Sequence, residues 1–203
     1  MILMKYSKTE GAEFISHLDI LRHFGKIFRR AGINVGMSGG YHPHMLVYLS
    51  APIGVGMKSY SEYCLVETDE PAEGFAEKFN RFAPRGIRCT GAYFTKKKVG
   101  VASDIVKARY LITGIPVFDE SEFLKREEIL IENRNKQLKN VRNLIYSVKC
   151  EDGGVRCVLG FGNGLRAEKF AEALVGIYGG EVADIVKEAA YTENDEELEN
   201  TLR

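Results

Sequence analysis

The chain has 203 residues, 45% of them apolar and 28% charged, enough to bury a substantial core and to argue against disorder. Its formal net charge is zero, which excludes a surface that is basic throughout and traps nucleic acid without selection. No run of about 18 apolar residues occurs, and Met1 to Met4 do not open a secretory signal, so a cytoplasmic location is expected.

The first half reads as strand, helix, strand, strand, helix, strand. Ile2 to Ser7 alternates enough to begin a sheet. Ser16-His17-Leu18-Asp19 is a helix start: the Ser16 hydroxyl can accept from an early backbone N–H, and Asp19 favours the positive helix end. The helix runs to about Ala31 and stops at Gly32, with Leu18, Leu21, Phe24, Phe28 and Ala31 expected to face the sheet. Arg22, Lys26 and Arg29 recur at i, i+4 and i+7 on another face. After the glycine-rich stretch Gly36 to Gly40, His44 to Ser50 and Ser59 to Thr68 read as two strands of a long hairpin. Pro71 suits a first helical position, and Phe75, Phe79 and Phe82 form one aromatic stripe. Pro84 and Gly86 end that helix, and Ile87 to Phe94 is the fourth strand.

Lys96 to Asp104 is polar and glycine-containing, a natural joint. Beyond it the pattern repeats: a strand Arg109 to Ile115, a short helix Glu120 to Glu128, and a hairpin of Arg142 to Cys150 with Val155 to Gly160, turned by Asp152-Gly153-Gly154. Ile129 to Asn140 reads as a short strand followed by a basic, polar loop. Arg166 to Tyr178 is an amphipathic helix through Phe170, Leu174 and Ile177, and Val182 to Tyr191 is the last strand. The expected fold is α+β: two tandem ferredoxin-like (βαββαβ) units with antiparallel sheets, spanning residues 1–100 and 101–192. Residues 193–203 form an acidic tail, expected to be frayed and solvated.

The neutral total hides an asymmetry, because residues 1–100 carry 14 Lys+Arg against 9 Asp+Glu. All four histidines, His17, His23, His42 and His44, lie in that half, together with Arg22, Arg29, Arg30 and Tyr41. A helix start near a glycine-rich loop offers free N–H donors, so Gly39, Gly40 and Tyr41 with Arg22, Lys26, Arg29 and Arg30 are candidate anion-binding residues. Gly36, Gly39 and Gly40 serve equally well as a tight turn before a strand. His17 with His42 and His44 is a candidate acid–base set, should the chain be an enzyme. His17 and His23 fall about 240° apart on a helix and cannot form a one-face metal pair. The four cysteines include no C-x-x-C and read as reduced core thiols. No metal and no cofactor are expected. Gly160-Phe161-Gly162-Asn163-Gly164 has the composition of a phosphate loop but lacks its Lys-Ser/Thr, and no H-E-x-x-H, kinase or Ser/His/Asp signature occurs.

Lys5-Tyr6-Ser7-Lys8-Thr9, Phe14 to Asp19 and Arg29-Arg30-Ala31-Gly32 resemble the radical S-adenosylmethionine-linked family of uncharacterised bacterial proteins, domain of unknown function 2344. Ser38-Gly39-Gly40-Tyr41-His42-Pro43-His44 is similar to the family's Ser-x-Gly-Phe-Asn-Pro-His element, with His42 where Asn is usual and Met45 where Pro is common. Ala51 to Val55 with Glu62-Tyr63 and, later, Gly162-Asn163-Gly164 continue the likeness. The resemblance implies an accessory role beside a radical S-adenosylmethionine enzyme, whose iron–sulfur ligands this sequence lacks. A histidine-bearing first helix and tandem ferredoxin-like units are also similar to CRISPR repeat-processing endoribonucleases, a likeness of fold only. Three functions follow as expectations: an RNA-binding or substrate-presenting module without catalysis, a metal-independent ribonuclease-like hydrolase using His17 with His42 or His44, and a protein–protein adaptor.

Overall fold

In the computed structural model, which describes residues 1–133, 135–151, 153–162 and 164–202, the chain divides into two units. The first comprises residues 1–105 with 192–203, and the second residues 106–191. Both are mixed α+β with antiparallel strand pairing, and no helix among the described residues is long and apolar enough to cross a membrane.

The first unit is built from β1 (Ile2–Lys8), α1 (His17–Ala31), β2 (Val47–Leu49), β3 (Lys58–Val66), α2 (Phe75–Asn80) and β4 (Ile87–Phe94), hydrogen-bonded in the order β4-β1-β3-β2. Alternation along β1 sends Ile2, Met4 and Tyr6 into one core and Lys5 to the other face. The local signals at α1 act as expected: Ser16 Oγ accepts from Asp19 N at 3.2 Å, and Gly32 closes the helix at φ 65°. Ile20, Phe24, Ile27 and Phe28 are its buried face. Phe24 packs edge-on against Tyr6 and Phe79 with ring centroids 5.0 and 5.3 Å apart. Leu18 and Leu21 do not face the sheet as expected, since they are 66% and 37% exposed. At about 100° per residue they stand off the stripe centred on Phe24, on the side shared by Gly25.

Three further expectations change. The strand begins at Val47 instead of His44, because Leu46 N donates to Gly36 O at 2.8 Å and Ser38 N to His44 O at 2.8 Å, folding His44 to Leu46 back on the glycine-rich stretch. Pro71 is not a first helical residue: α2 starts at Phe75 behind Gly74 at φ 74°, and Phe82 lies beyond it, 37% exposed. The tail is not frayed. Residues 198–202 form a 3-10 turn with Leu198 1% exposed, Glu197 pairs with Lys5, and Glu199 accepts from Lys5 at 2.8 Å and from the Tyr63 hydroxyl at 2.5 Å.

The second unit contains β5 (Lys107–Thr113), α3 (Glu120–Leu124), β6 (Leu130–Glu132), β7 (Leu138–Asn140), β8 (Ile145–Glu151), β9 (Gly154–Gly160), α4 (Ala167–Tyr178) and β10 (Asp184–Tyr191). Its main sheet has the order β10-β5-β9-β8, and β6 and β7 pair as a hairpin where a strand and a loop are expected. Phe123 and Phe170 bring α3 and α4 onto one core, whereas Ile177 is 37% exposed. The Asp119 cap is satisfied, but α3 ends at Leu124, short of the expected Glu128. Residues 142–144 are a 3-10 turn in place of the start of a strand. Asp152 and Asn163, within the expected 152–154 turn and the 160–164 loop, lie outside the described residues.

Candidate functional site

The side of α1 left bare by the core borders a cleft of the first unit. Arg22 and Arg29, seven residues apart, fall within about 20° of each other around the helix. With Leu21 and Gly25 they form one wall of a cleft of about 490 Å³. The other wall is Met37 and the run Pro43 to Tyr48. The approach is close at Gly25, where a Cβ would lie 3.6 Å from Met45 Sδ.

Backbone and side-chain bonds fix the second wall. Met37 and Met45 bridge antiparallel, and Gly36 N donates to Glu67 O at 2.7 Å while Glu67 N donates to Leu46 O at 3.0 Å. Ser38 Oγ lies 2.8 Å from His44 Nδ1 and accepts from His44 N at 3.1 Å, which orients the imidazole at the rim. Between these anchors the tip projects into solvent: Tyr41 is 98% exposed, His42 is exposed, and Gly40 has φ 100°, a conformation that favours glycine.

The two guanidiniums differ. Arg22 donates to Asp19 at 2.8 Å, and the Ser16 hydroxyl with that guanidinium holds the Asp19 carboxyl below its usual range. Arg29 donates Nε–H to Gly25 O at 2.9 Å and has no carboxylate partner among the described residues, so its remaining N–H groups are open to an anion. The floor is apolar through Leu21, Met37, Met45, Leu46 and Val47, with the ring of Tyr48 at one end. An apolar cleft with two guanidiniums, an imidazole and a phenol is suited to a planar ring carrying a negative substituent.

The structure separates the other candidates. Lys26 and Arg30 turn away from Arg29 and, with His23, Ile27, Phe82 and Pro84, line a different groove. His17 borders a third, very small hollow with Tyr6, Lys8, Ile20, Ile53 and Glu62, and so does not share a cavity with His44. In that hollow burial lowers the His17 and Lys8 pKa values, partly offset by Glu62, which accepts from Ser59 at 2.7 Å and Ser50 at 3.2 Å. Gly39 lies in the projecting tip and meets nothing within 4 Å of its Cβ position. The cysteines are free thiols, Cys64, Cys89 and Cys157 buried, and burial pushes the Cys89 thiol up to about 12.

Sequence reasoning missed the cleft's apolar wall. Leu21 could have been suspected, because it falls at the edge of the helical stripe; Met37, Met45 and Tyr48 carry no periodic signal, and only the fold-back of the loop brings them to α1.

These features define an α+β protein with an apolar, arginine-flanked cleft on its first helix. The chain belongs to a family described as "Uncharacterized protein conserved in bacteria (DUF2344)", whose model matches residues 1–175. A comparison with curated proteins finds no match.

Proposed function

We propose that the chain is an accessory RNA-binding or substrate-presenting module, without catalysis of its own, that works beside a radical S-adenosylmethionine enzyme. The observation that carries the RNA reading is the placing of Arg22 and Arg29, the latter free of any carboxylate among the described residues, on one wall of a cleft with an apolar floor and Tyr48 in its lining. Guanidiniums take phosphates, and an unstacked base fits an apolar floor next to an aromatic ring. The positive excess of residues 1–100 supports the same choice. The radical enzyme as partner rests on the resemblance of the Ser38 to His44 element and of the segments around it.

We further propose that both units are ferredoxin-like. Numbering each unit's main strands in chain order, the observed orders β4-β1-β3-β2 and β10-β5-β9-β8 are both 4-1-3-2, with the β6–β7 hairpin an insertion in the second. The hydrolase alternative is less well supported, because His17 and His44 border different hollows.

Fluorescence anisotropy with a pool of short single-stranded RNAs tests the binding. Affinity should fall with salt by about 0.7 logarithmic units per logarithmic unit of salt for each phosphate held. Replacing Arg22 and Arg29 together by alanine should weaken binding by about tenfold or more. Absence of affinity at low salt, or affinity indifferent to the double replacement, overturns the reading. Recovery of a protein partner from nuclease-treated extract, with no RNA affinity, would favour the adaptor.

A further inference from the structure

The lysine run Lys96-Lys97-Lys98 reads in sequence as part of a joint, yet the fold brings its last member, Lys98, against Tyr48, which lines the cleft. Lys98 Nζ stands 3.9 Å from the centroid of the Tyr48 ring, and the Tyr48 hydroxyl donates to Glu67 at 3.1 Å, with Lys98 3.9 Å from the same carboxylate oxygen. Tyr48 and Lys98 thus touch as ring and cation. Lys98 also lines a second hollow, about 490 Å³, with Phe94, Lys96, Lys97, Asp104 and Thr201. Phe94 is 55% exposed there.

The charges in this second hollow are unequal in availability. Asp104 is directed to its own loop, accepting from Gly100 N and from Ser103 Oγ, both at 2.9 Å. Thr95 Oγ1 donates to Lys97 O at 2.8 Å and accepts from Lys97 N at 3.2 Å, which turns the run. Lys96 and Lys97 have no carboxylate partner among the described residues, and of the three lysines Glu67 pairs with Lys98. The Tyr48–Lys98 contact therefore links the linings of two hollows, the second bordered by a cluster of ammonium groups.

Resting on the proposed RNA reading of the cleft, we infer that the site takes a single-stranded nucleic-acid segment of at least two nucleotides. One base occupies the α1 cleft between Arg29 and Tyr48, the next lies against Phe94, and the phosphate joining them is held by Lys96 and Lys97. The lining chemistry favours a nucleic-acid strand over an acidic peptide: an apolar cleft beside a hollow that holds both ammonium groups and an exposed aromatic ring suits bases as well as phosphate, whereas an acidic peptide would use the ammonium groups alone.

The full chain is titrated with adenosine monophosphate, the dinucleotide ApA and a glutamate-rich hexapeptide, in wild type, in Arg29→Ala and in the combined Lys96→Ala, Lys97→Ala variant, with circular dichroism confirming each fold. ApA should bind about tenfold more tightly than the mononucleotide, the scale of one added stacked base and phosphate. The lysine variant should erase that gain while leaving mononucleotide affinity within about twofold, and Arg29→Ala should weaken both ligands. If the mononucleotide binds and ApA gains nothing, or if the lysine variant weakens both alike, the two-nucleotide site is wrong and the cleft reading stands. Failure of both nucleotides to bind removes the cleft reading and this inference together. A hexapeptide that binds as tightly as ApA overturns the choice of nucleic acid.

Discussion

His17 is half-buried beside Lys8, Tyr6 and Glu62, and burial lowers its pKa below the ordinary value. In the pH range between its folded value and about 6.5 the unfolded chain therefore binds the proton more readily, and stability falls as pH falls through that window. His17→Gln should flatten this part of the profile, read as the difference between urea midpoints at pH 7 and pH 5; an unchanged difference would mean that the imidazole is as solvated as in the unfolded chain. Arg29 and Arg30 are neighbours in sequence and lie along different grooves. Arg29→Ala should cost roughly fivefold in RNA affinity and Arg30→Ala less than about twofold, as anisotropy at low salt would show. Equal losses would mean that the helix presents a diffuse charge and no cleft. Gly86, at φ 82°, has Thr9 O only 1.9 Å from where a Cβ would stand. Gly86→Ala should therefore lower stability by more than about 2 kcal/mol, whereas Gly39→Ala, with open space around it, should change it by less than about 0.5 kcal/mol. Paired denaturant titrations decide this.

At the scale of elements, the C-terminal 3-10 turn acts as part of the first unit's packing. Leu198 is 1% exposed, so Leu198→Ala should cost about 2–4 kcal/mol. Burial works against the charge of Glu199, but the hydrogen bonds from Lys5 and Tyr63 outweigh it and hold its carboxyl below the usual range. The stability this contributes is present above the unfolded carboxyl value and is lost as pH falls through the folded one. Glu199→Gln should remove that acid dependence, measured as the thermal midpoint from pH 6 to pH 3. None of this is legible in the sequence: Glu193 to Glu199 has the composition of a solvated tail, and its partner Lys5 is separated from Glu197 by 192 positions. The boundaries of α1 were legible because Ser16 and Gly32 act within one turn of the residues they cap. Its inward face was read only in part. Periodicity marks an apolar stripe but does not fix its edge, and Leu18 and Leu21 stand just outside the buried face of Ile20, Phe24, Ile27 and Phe28. The fold-back of His44 to Leu46 was hidden for a similar reason, since those residues satisfy their hydrogen bonds against Gly36 and Ser38 through a contact that no strand pattern announces.

At the scale of the whole molecule, a net charge of zero conceals a division of labour. The positive excess lies in residues 1–100, and among them Arg29, Lys96 and Lys97, without carboxylate partners among the described residues, border two hollows whose linings touch where Lys98 stands over Tyr48. The sequence brought the histidine-rich segment and α1 to attention together, and the fold joins part of that set, His44 with Arg22 and Arg29, while it sends His17, Lys26 and Arg30 to other surfaces. Ultraviolet cross-linking of the full chain to short single-stranded RNA, followed by mass spectrometry of the cross-linked peptides, tests the assignment most directly. Nucleotides attached to residues between Met37 and Tyr48 are predicted. Cross-links confined to residues 106–191, or to the groove of Lys26 and Arg30, would contradict it.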